Sequence, residues 1–343
     1  MSILLLFFYP ILIFVITITS LKFLIDFLKQ KKILDRPKKR SNHSNPMPRG
    51  AGFIIIPIII VSIFIYIYFD LLNLQPWISI CFLTLVLFLT SSYDDLYNLP
   101  SSVRLGIQTI CVIIALYSVD SEVLEFAKNI EKNISFFSNF TLLIILLKIF
   151  LILIWLWILN LFNFMDGMDG LTSSQVCTFS IGMIFLSVYT NFSIQFSYIG
   201  VILLAPFIGF FYWNKPPAKI FLGDSGSIPI GFLIGGVITF SLIEFQHFTP
   251  LIILILFHFF DSSLTLLIRL VRRKNIFEAH SEHFYQLKIR NGYTHSAVLR
   301  RINLVNFILI FFSLLYDKHS TLIVISSILM VVGLLFWLKI KRH

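Results

Sequence analysis

The chain has 343 residues, 57% hydrophobic and only 13% charged, with a formal net charge of +10. Soluble domains carry about 25% charged residues, so a soluble enzyme, a disordered chain and a disulfide-stapled scaffold are excluded, as is an outer-membrane barrel of alternating ~10-residue strands. In a soluble protein +10 would suggest nucleic acid as partner; in a membrane protein it raises the question of where the cations sit, and no nucleic-acid partner is expected.

Apolar runs recur from end to end at about the 20-residue length that crosses a ~30 Å hydrocarbon core. They cover 3–28, 53–69, 77–90, 103–119, 141–161, 171–190, 194–211, 228–245, 251–271, 302–316 and 321–340. Backbone groups in lipid must bond within their own segment, so each run reads as a helix. The expectation is an all-α, polytopic integral membrane protein with about eleven transmembrane helices, one domain over 1–343. Turn residues at 73–76, 98–102 and 215–217 separate spans. Cys81, Cys111 and Cys177 lie in or beside apolar runs at unrelated spacings and read as small buried hydrophobes.

When the loops are assigned alternately to the two sides, one set holds 22 lysines and arginines and the other only Lys128, Lys132 and Lys318. The positive-inside rule makes the first set cytosolic, with Met1 outside and the C-terminus inside. With no positive n-region or cleavage site, the first run is expected to stay as a span. The polar segments 35–52, 93–95, 160–170, 221–227 and 280–295 then all face the cytosol, so the chemistry is expected at that membrane surface.

Asp94 and Asp95 end the third run. They fit a solvated helix end, but carboxylates there oppose the helix dipole and call for a metal or another cation. Asn160-Leu-Phe-Asn163-Phe-Met-Asp166-Gly167-Met168-Asp169-Gly170-Leu171 places two amides and two carboxylates at helical spacing. These are oxygen ligands suited to Mg²⁺ rather than to zinc or copper, although an Asp-Gly turn is the plainer alternative. Phe221-Leu-Gly223-Asp224-Ser225-Gly226-Ser227 opens the eighth run and reads either as a helix cap or as an anion site. An aspartate inside an anion site requires a cation between it and the phosphate. Arg269, Arg272, Arg273 and Lys274 precede His280-Ser-Glu282-His283 and His295; they suit lipid anchoring or phosphate clamping. Asp261, three after His258, is an ionisable group within a span, expected to line the same cavity. The loop from Asp35 to Gly52, with His43, Arg49 and three prolines, is either a positive-inside loop or the roof of a phosphate site.

Four of these segments, in order, resemble the polyprenyl-phosphate N-acetylhexosamine-1-phosphate transferase family. They are the Asp35-x-Pro37…His43…Pro46-x-Pro48-Arg49-Gly50 loop, Asp94-Asp95, Asn160-x-x-Asn163-x-x-Asp166-Gly-x-Asp169-Gly-Leu, and Phe221-x-Gly-Asp224-x-Gly-Ser227. The resemblance spans nearly the whole chain. It implies a bacterial cytoplasmic-membrane enzyme that moves a sugar 1-phosphate from a UDP-N-acetylhexosamine to undecaprenyl phosphate and releases UMP. By that resemblance Asn163 and Asp224 hold Mg²⁺ (or Mn²⁺), and Asp94, Asp95 and Asp166 join Asp224 in the catalytic centre. Asp169 and Phe221 recognise uracil. Asn160, His43, Arg49, His280, His283 and Arg273 contact substrate, and a homodimer is compatible with the family.

Two departures bear on the branch. The Thr-Pro-Thr-Met-Gly-Gly stretch of the muramoyl-pentapeptide branch reads Asn45-Pro-Met-Pro-Arg-Gly50 here, and that branch's triple histidine is absent. The His-x-His-His of the O-antigen initiators reads His283-Phe-Tyr-Gln286. The resemblance leans to O-antigen-type initiation, with the muramoyl-pentapeptide transferase as the alternative and a cation-coupled transporter as the rival from another class.

Overall fold

The computed structural model describes residues 2–36, 46–133, 139–190, 192–245, 248–275, 278, 280–316 and 320–341. Among them the chain forms fourteen helices. In order these are α1 (Ser2–Gln30), α2 (Gly52–Tyr68), α3 (Leu74–Tyr97), α4 (Ser101–Tyr117), α5 (Asp120–Asn133), α6 (Phe140–Phe164) and α7 (Leu171–Tyr189). They continue with α8 (Ile194–Asn214), α9 (Asp224–Phe245), α10 (Thr249–Leu254), α11 (Leu256–Val271), α12 (Phe284–Arg290), α13 (His295–Leu315) and α14 (Ser320–Lys339). The all-α, polytopic expectation holds. Each of the eleven apolar runs is helical, but the ninth is broken into α10 and α11.

The number of full-length spans is smaller than eleven by length and composition. Among the described residues eight helices are long and apolar enough to cross a bilayer, nine if α4 and α5, which meet at a 76° bend, count as one. The 17-residue α2 is about 25 Å long, short of a ~30 Å core. Two helices lie where the sequence suggested only loop: α5, whose Val123 and Ala127 are buried while charged residues face outward, and the seven-residue α12.

Helix α9 is the hub and is buried along its whole spanning window. It packs on α3 and α6, and its glycines permit the approach: a Cβ at Gly231 would stand 2.6 Å from the Leu159 carbonyl. Such small-residue contacts replace the hydrophobic drive that lipid does not supply. Trp155 of α6 donates its indole N–H to the Phe232 carbonyl at 2.9 Å.

The break at Ile255 leaves the Leu254 carbonyl to a side chain. Gln175 of α7 donates to it at 2.8 Å and accepts from Asn306 of α13, also at 2.8 Å. Non-helical backbone at membrane depth needs partners of this kind.

Candidate active site

The C-terminal ends of α3 and α6 and the N-terminal ends of α2, α7 and α9 meet on one face of the bundle. The segment before α2 is pinned to the segment before α9 through its backbone. Gly50 and Ala51 donate to the Phe221 carbonyl at 3.0 Å each, and Phe221 N–H donates to Pro48 at 2.9 Å. Helices α2 and α9 then start back to back, because a Cβ on Gly52 would lie 2.5 Å from the Gly226 amide nitrogen.

This pairing delivers Arg49 to the carboxylates. Its guanidinium bonds Asp224 and lies 3.0 Å from Asp95. Arg104, on the first turn of α4, reaches Asp94 at 3.1 Å and Asp224 at 3.7 Å. The cation that the dipole at the end of α3 demands is therefore an arginine, one that the sequence registered only as part of the cytosolic charge bias. Its signal was available: Asp94 and Arg104 flank a turn short enough to fold one helix end onto the next. Asp94 also accepts from Leu99 N–H at 2.6 Å, which closes that turn.

The loop at 221–227, expected to aim N–H groups at an anion, directs them elsewhere. Ser225 N–H goes to Asp95 at 3.1 Å, and Gly226 and Ser227 N–H both go to the Gly223 carbonyl at 2.9 Å. A carboxylate of the neighbouring helix thus occupies one donor at this helix start.

Asn160 and Asn163 do not converge. Although residues three apart share a helix side, the two amides reach different neighbours. Asn163 accepts from Ser227 Oγ of α9 at 2.8 Å, while Asn160 donates to Gln108 of α4 at 3.0 Å and to the Leu156 carbonyl at 2.9 Å.

Asp166 lies in the loop between α6 and α7, partly buried. Burial is the main cause that pushes its carboxyl up to about 6; Asp224 and Asp95 add to the effect and Arg49 opposes it. Asp169 accepts from Ala218 N–H at 3.0 Å and stands 3.1 Å from His295 Nδ1. It thereby holds the 215–221 segment that carries Phe221.

The histidine segment is organised by Asp261. Instead of lining the cavity, its fully buried carboxylate accepts from Phe284 N–H at 3.1 Å and Tyr285 N–H at 3.2 Å and meets His283 Nδ1 at 3.0 Å. It therefore caps α12, a use that no spacing rule reveals because it joins residues 22 to 24 apart. The His283 ring lies 6.4 Å from that of Phe164, at the end of α6, and 5.1 Å from His280. Burial, then His283 and Arg269, lower His280 to about 4, so it is neutral near pH 7. Arg269 and Lys274 are both paired with Glu282 at 2.8 Å. Arg273 is exposed at the end of α11. His43 lies outside the described residues.

A groove between α3, α4 and α9 opens onto this centre. Asp94 and Arg104 line it together with Leu87, Ile107, Gln108 and Ile228. The Nε of Arg104 is buried and has no acceptor.

The sequence profile of glycosyl transferase family 4 matches residues 77–242, the stretch from α3 through α9. An undecaprenyl-phosphate alpha-N-acetylglucosaminyl 1-phosphate transferase of Thermotoga maritima is 30% identical over 268 residues, 77% of this chain and 76% of that protein. The chain belongs to this family. It is the polyprenyl-phosphate hexosamine-1-phosphate transferase family that the four motifs resemble. A phospho-N-acetylmuramoyl-pentapeptide-transferase of Buchnera aphidicola is 28% identical over 313 residues, covering 82% and 87% of the two chains. A probable undecaprenyl-phosphate N-acetylglucosaminyl 1-phosphate transferase of Bacillus subtilis is 23% identical over 283 residues, 80% and 75%. Family membership leaves the transporter without support.

Proposed function

We propose that the protein transfers an N-acetylhexosamine 1-phosphate from a UDP-sugar to undecaprenyl phosphate in the bacterial cytoplasmic membrane, releasing UMP and starting a lipid-linked envelope glycan of the O-antigen type. The observation that carries this reading is the meeting of three carboxylates and two guanidinium groups at the mouth of the groove between α3, α4 and α9, whose lining mixes aliphatic side chains with Thr90, Ser91 and Gln108. Leu87 lies two turns before Asp94 on α3, and Ile107 one turn after Arg104 on α4. A lipid tail laid along them would bring its phosphate to Arg104, whose buried Nε still has a hydrogen to donate.

An oxygen of the lipid phosphate attacks the sugar-bearing phosphorus, a new P–O bond forms, and the bond to UMP breaks with its electrons leaving on UMP. The lipid phosphate, with a second pKa near ~6, is largely ionised at neutral pH, so no side chain has to remove a proton from it. The work of the chain is positioning and charge balance. Arg104 holds the acceptor. Arg49, drawn between Asp95 and Asp224, is placed to meet the diphosphate, and Asp169 sets the 215–221 segment against the uracil.

The donor set is all oxygen and fits Mg²⁺, or Mn²⁺, with Asn163 and Asp224 as the residues that would hold it. Bound there, the ion would neutralise the diphosphate and the leaving group. Among the described residues no three acidic, histidine or cysteine side chains already form a metal cluster, and Arg49 supplies the positive charge between Asp95 and Asp224.

The relatives named as muramoyl-pentapeptide transferases support a second reading of the donor. One experiment separates the two. UMP release is measured from a panel of UDP-N-acetylhexosamines and from UDP-N-acetylmuramoyl-pentapeptide, with and without lipid phosphate and Mg²⁺. Release that needs lipid and metal, occurs with a simple hexosamine and vanishes in Asp224→Ala is expected. Release with the pentapeptide donor alone would overturn the hexosamine assignment, and no release with any donor would overturn both.

A further inference from the structure

Lys288 belongs to none of the motifs above. It is 1% exposed, although lysine is among the residues least often fully buried. Its Nζ donates to the Trp337 and Ile340 carbonyls at 2.8 and 3.0 Å, at the C-terminal end of α14. It stands 4.1 Å from the centre of the Tyr293 ring and 4.2 Å from that of Trp337. Two helix-end carbonyls, the negative end of a helix dipole and two aromatic faces form a cage for one ammonium. Removing the ammonium would take from both carbonyls the side-chain donor they share.

Lys288 sits on α12, and the other end of α12 is fixed by Asp261. Between these anchors the helix presses on the acidic loop. Tyr285, fully buried, donates its hydroxyl to the Phe164 carbonyl at 3.3 Å. It lies so close to Gly167 that a Cβ there would collide with the hydroxyl. Gly167 joins Asp166 to the stretch that ends in Asp169, so a displacement of α12 moves the loop that carries both carboxylates.

We propose that Lys288 is a positioning residue: by locking α12 to the end of α14, it holds Tyr285 against Gly167 and so fixes Asp166 and Asp169 for the nucleotide sugar. The last helix then takes part in donor binding rather than serving only as an anchor. The inference rests on the proposed function for its kinetic arm but has a second arm that does not.

The test uses the full chain in lipid nanodiscs. Lys288→Met fills the volume without the charge, and Lys288→Arg can still reach the carbonyls and stack on the rings. For Lys288→Met, kcat/KM for the UDP-sugar is expected to fall about tenfold or more, with the KM for lipid phosphate within about twofold of wild type, a split that marks donor positioning. Lys288→Arg should recover to within about threefold of wild type. Amide exchange in Lys288→Met should quicken in 283–290 and in 165–171 while the α6–α9 core stays protected. Unchanged kinetics, or an equal loss toward both substrates with global loss of protection, would overturn the proposal. If wild type releases no UMP, the functional reading has failed and exchange decides alone. Faster exchange reaching 165–171 supports the lock, and faster exchange confined to α12 and α14 overturns it.

Discussion

Asp166 shows how the centre stores electrostatic tension. Its carboxyl is pushed up to about 6 by burial, with Asp224 and Asp95 adding to the effect, against an unfolded value near ~4. A raised acid binds its proton more tightly in the folded state. No stability is therefore lost below pH ~4; the loss develops between pH ~4 and ~6 and is complete above. The size is on the order of 1–3 kcal/mol, toward the lower end because the residue keeps some contact with solvent. Asp166→Asn removes the titration. Its melting temperature relative to wild type, without divalent ions, should be similar at pH 4 and higher by several degrees at pH 7.5. Added Mg²⁺ should shrink the pH 7.5 gain, because a cation stabilises the ionised carboxylates of wild type. A difference independent of pH would show that Asp166 is not held in this tension.

At the scale of elements, the centre depends on how closely α2 and α9 approach. The atoms that a Cβ on Gly52 would meet at 2.5–2.7 Å are all backbone: Gly226 N, Gly226 Cα and Ser225 C. No rotamer change relieves such a contact, so the helix starts must separate, and Arg49 is carried away from Asp224 with them. Gly52→Ala is expected to cost about 1–3 kcal/mol and to reduce turnover at least about tenfold through misplacement of the cation. Gly106→Ala is the control. Its Cβ meets nothing within 4 Å inside α4, and replacing glycine in a helix interior gains about 0.5–1 kcal/mol. Equal behaviour of the two variants would refute the close-approach argument.

The same contrast explains what was legible in the sequence. The spans announce themselves because lipid demands continuous apolar helices, and the acidic motifs sit where those helices end. Helix α5 hid behind six charged residues in 14, since its amphipathic face is too narrow to read as a span. Helix α12 is only seven residues long; its start is capped by Asp261 of α11, and its own Lys288 is bonded to the end of α14. Arg104, the cap on α12 and the break at Ile255 are all fixed by contacts between separate segments. A single chain read in order gives the charge of such residues but not their partners.

For the whole molecule, the bundle gathers the carboxylates of its motifs, Asp94, Asp95, Asp166, Asp169 and Asp224, on one face, and most lysines and arginines fall in the loops assigned to that same face. Under the proposed function, the centre can attract phosphates because the two distributions coincide. Arg49 and Arg104 are taken from the cytosolic charge bias and folded back onto Asp94, Asp95 and Asp224. Under the proposed function, orientation in the membrane is part of the chemistry, since a UDP-sugar would be met on the cytosolic side. The opposite surface carries the polar face of α5, with Glu125 and Lys128 exposed. Native thiols interfere little with labelling, as Cys81 and Cys111 are buried and Cys177 is partly so. A cysteine at Glu125 should react with a membrane-impermeant maleimide in cells whose outer barrier alone is opened. A cysteine at Arg300, exposed on α13, should react only after the cytoplasmic membrane is permeabilised. The reverse pattern would place the acidic centre outside, where no nucleotide donor reaches it, and would overturn the orientation and the proposed donor together.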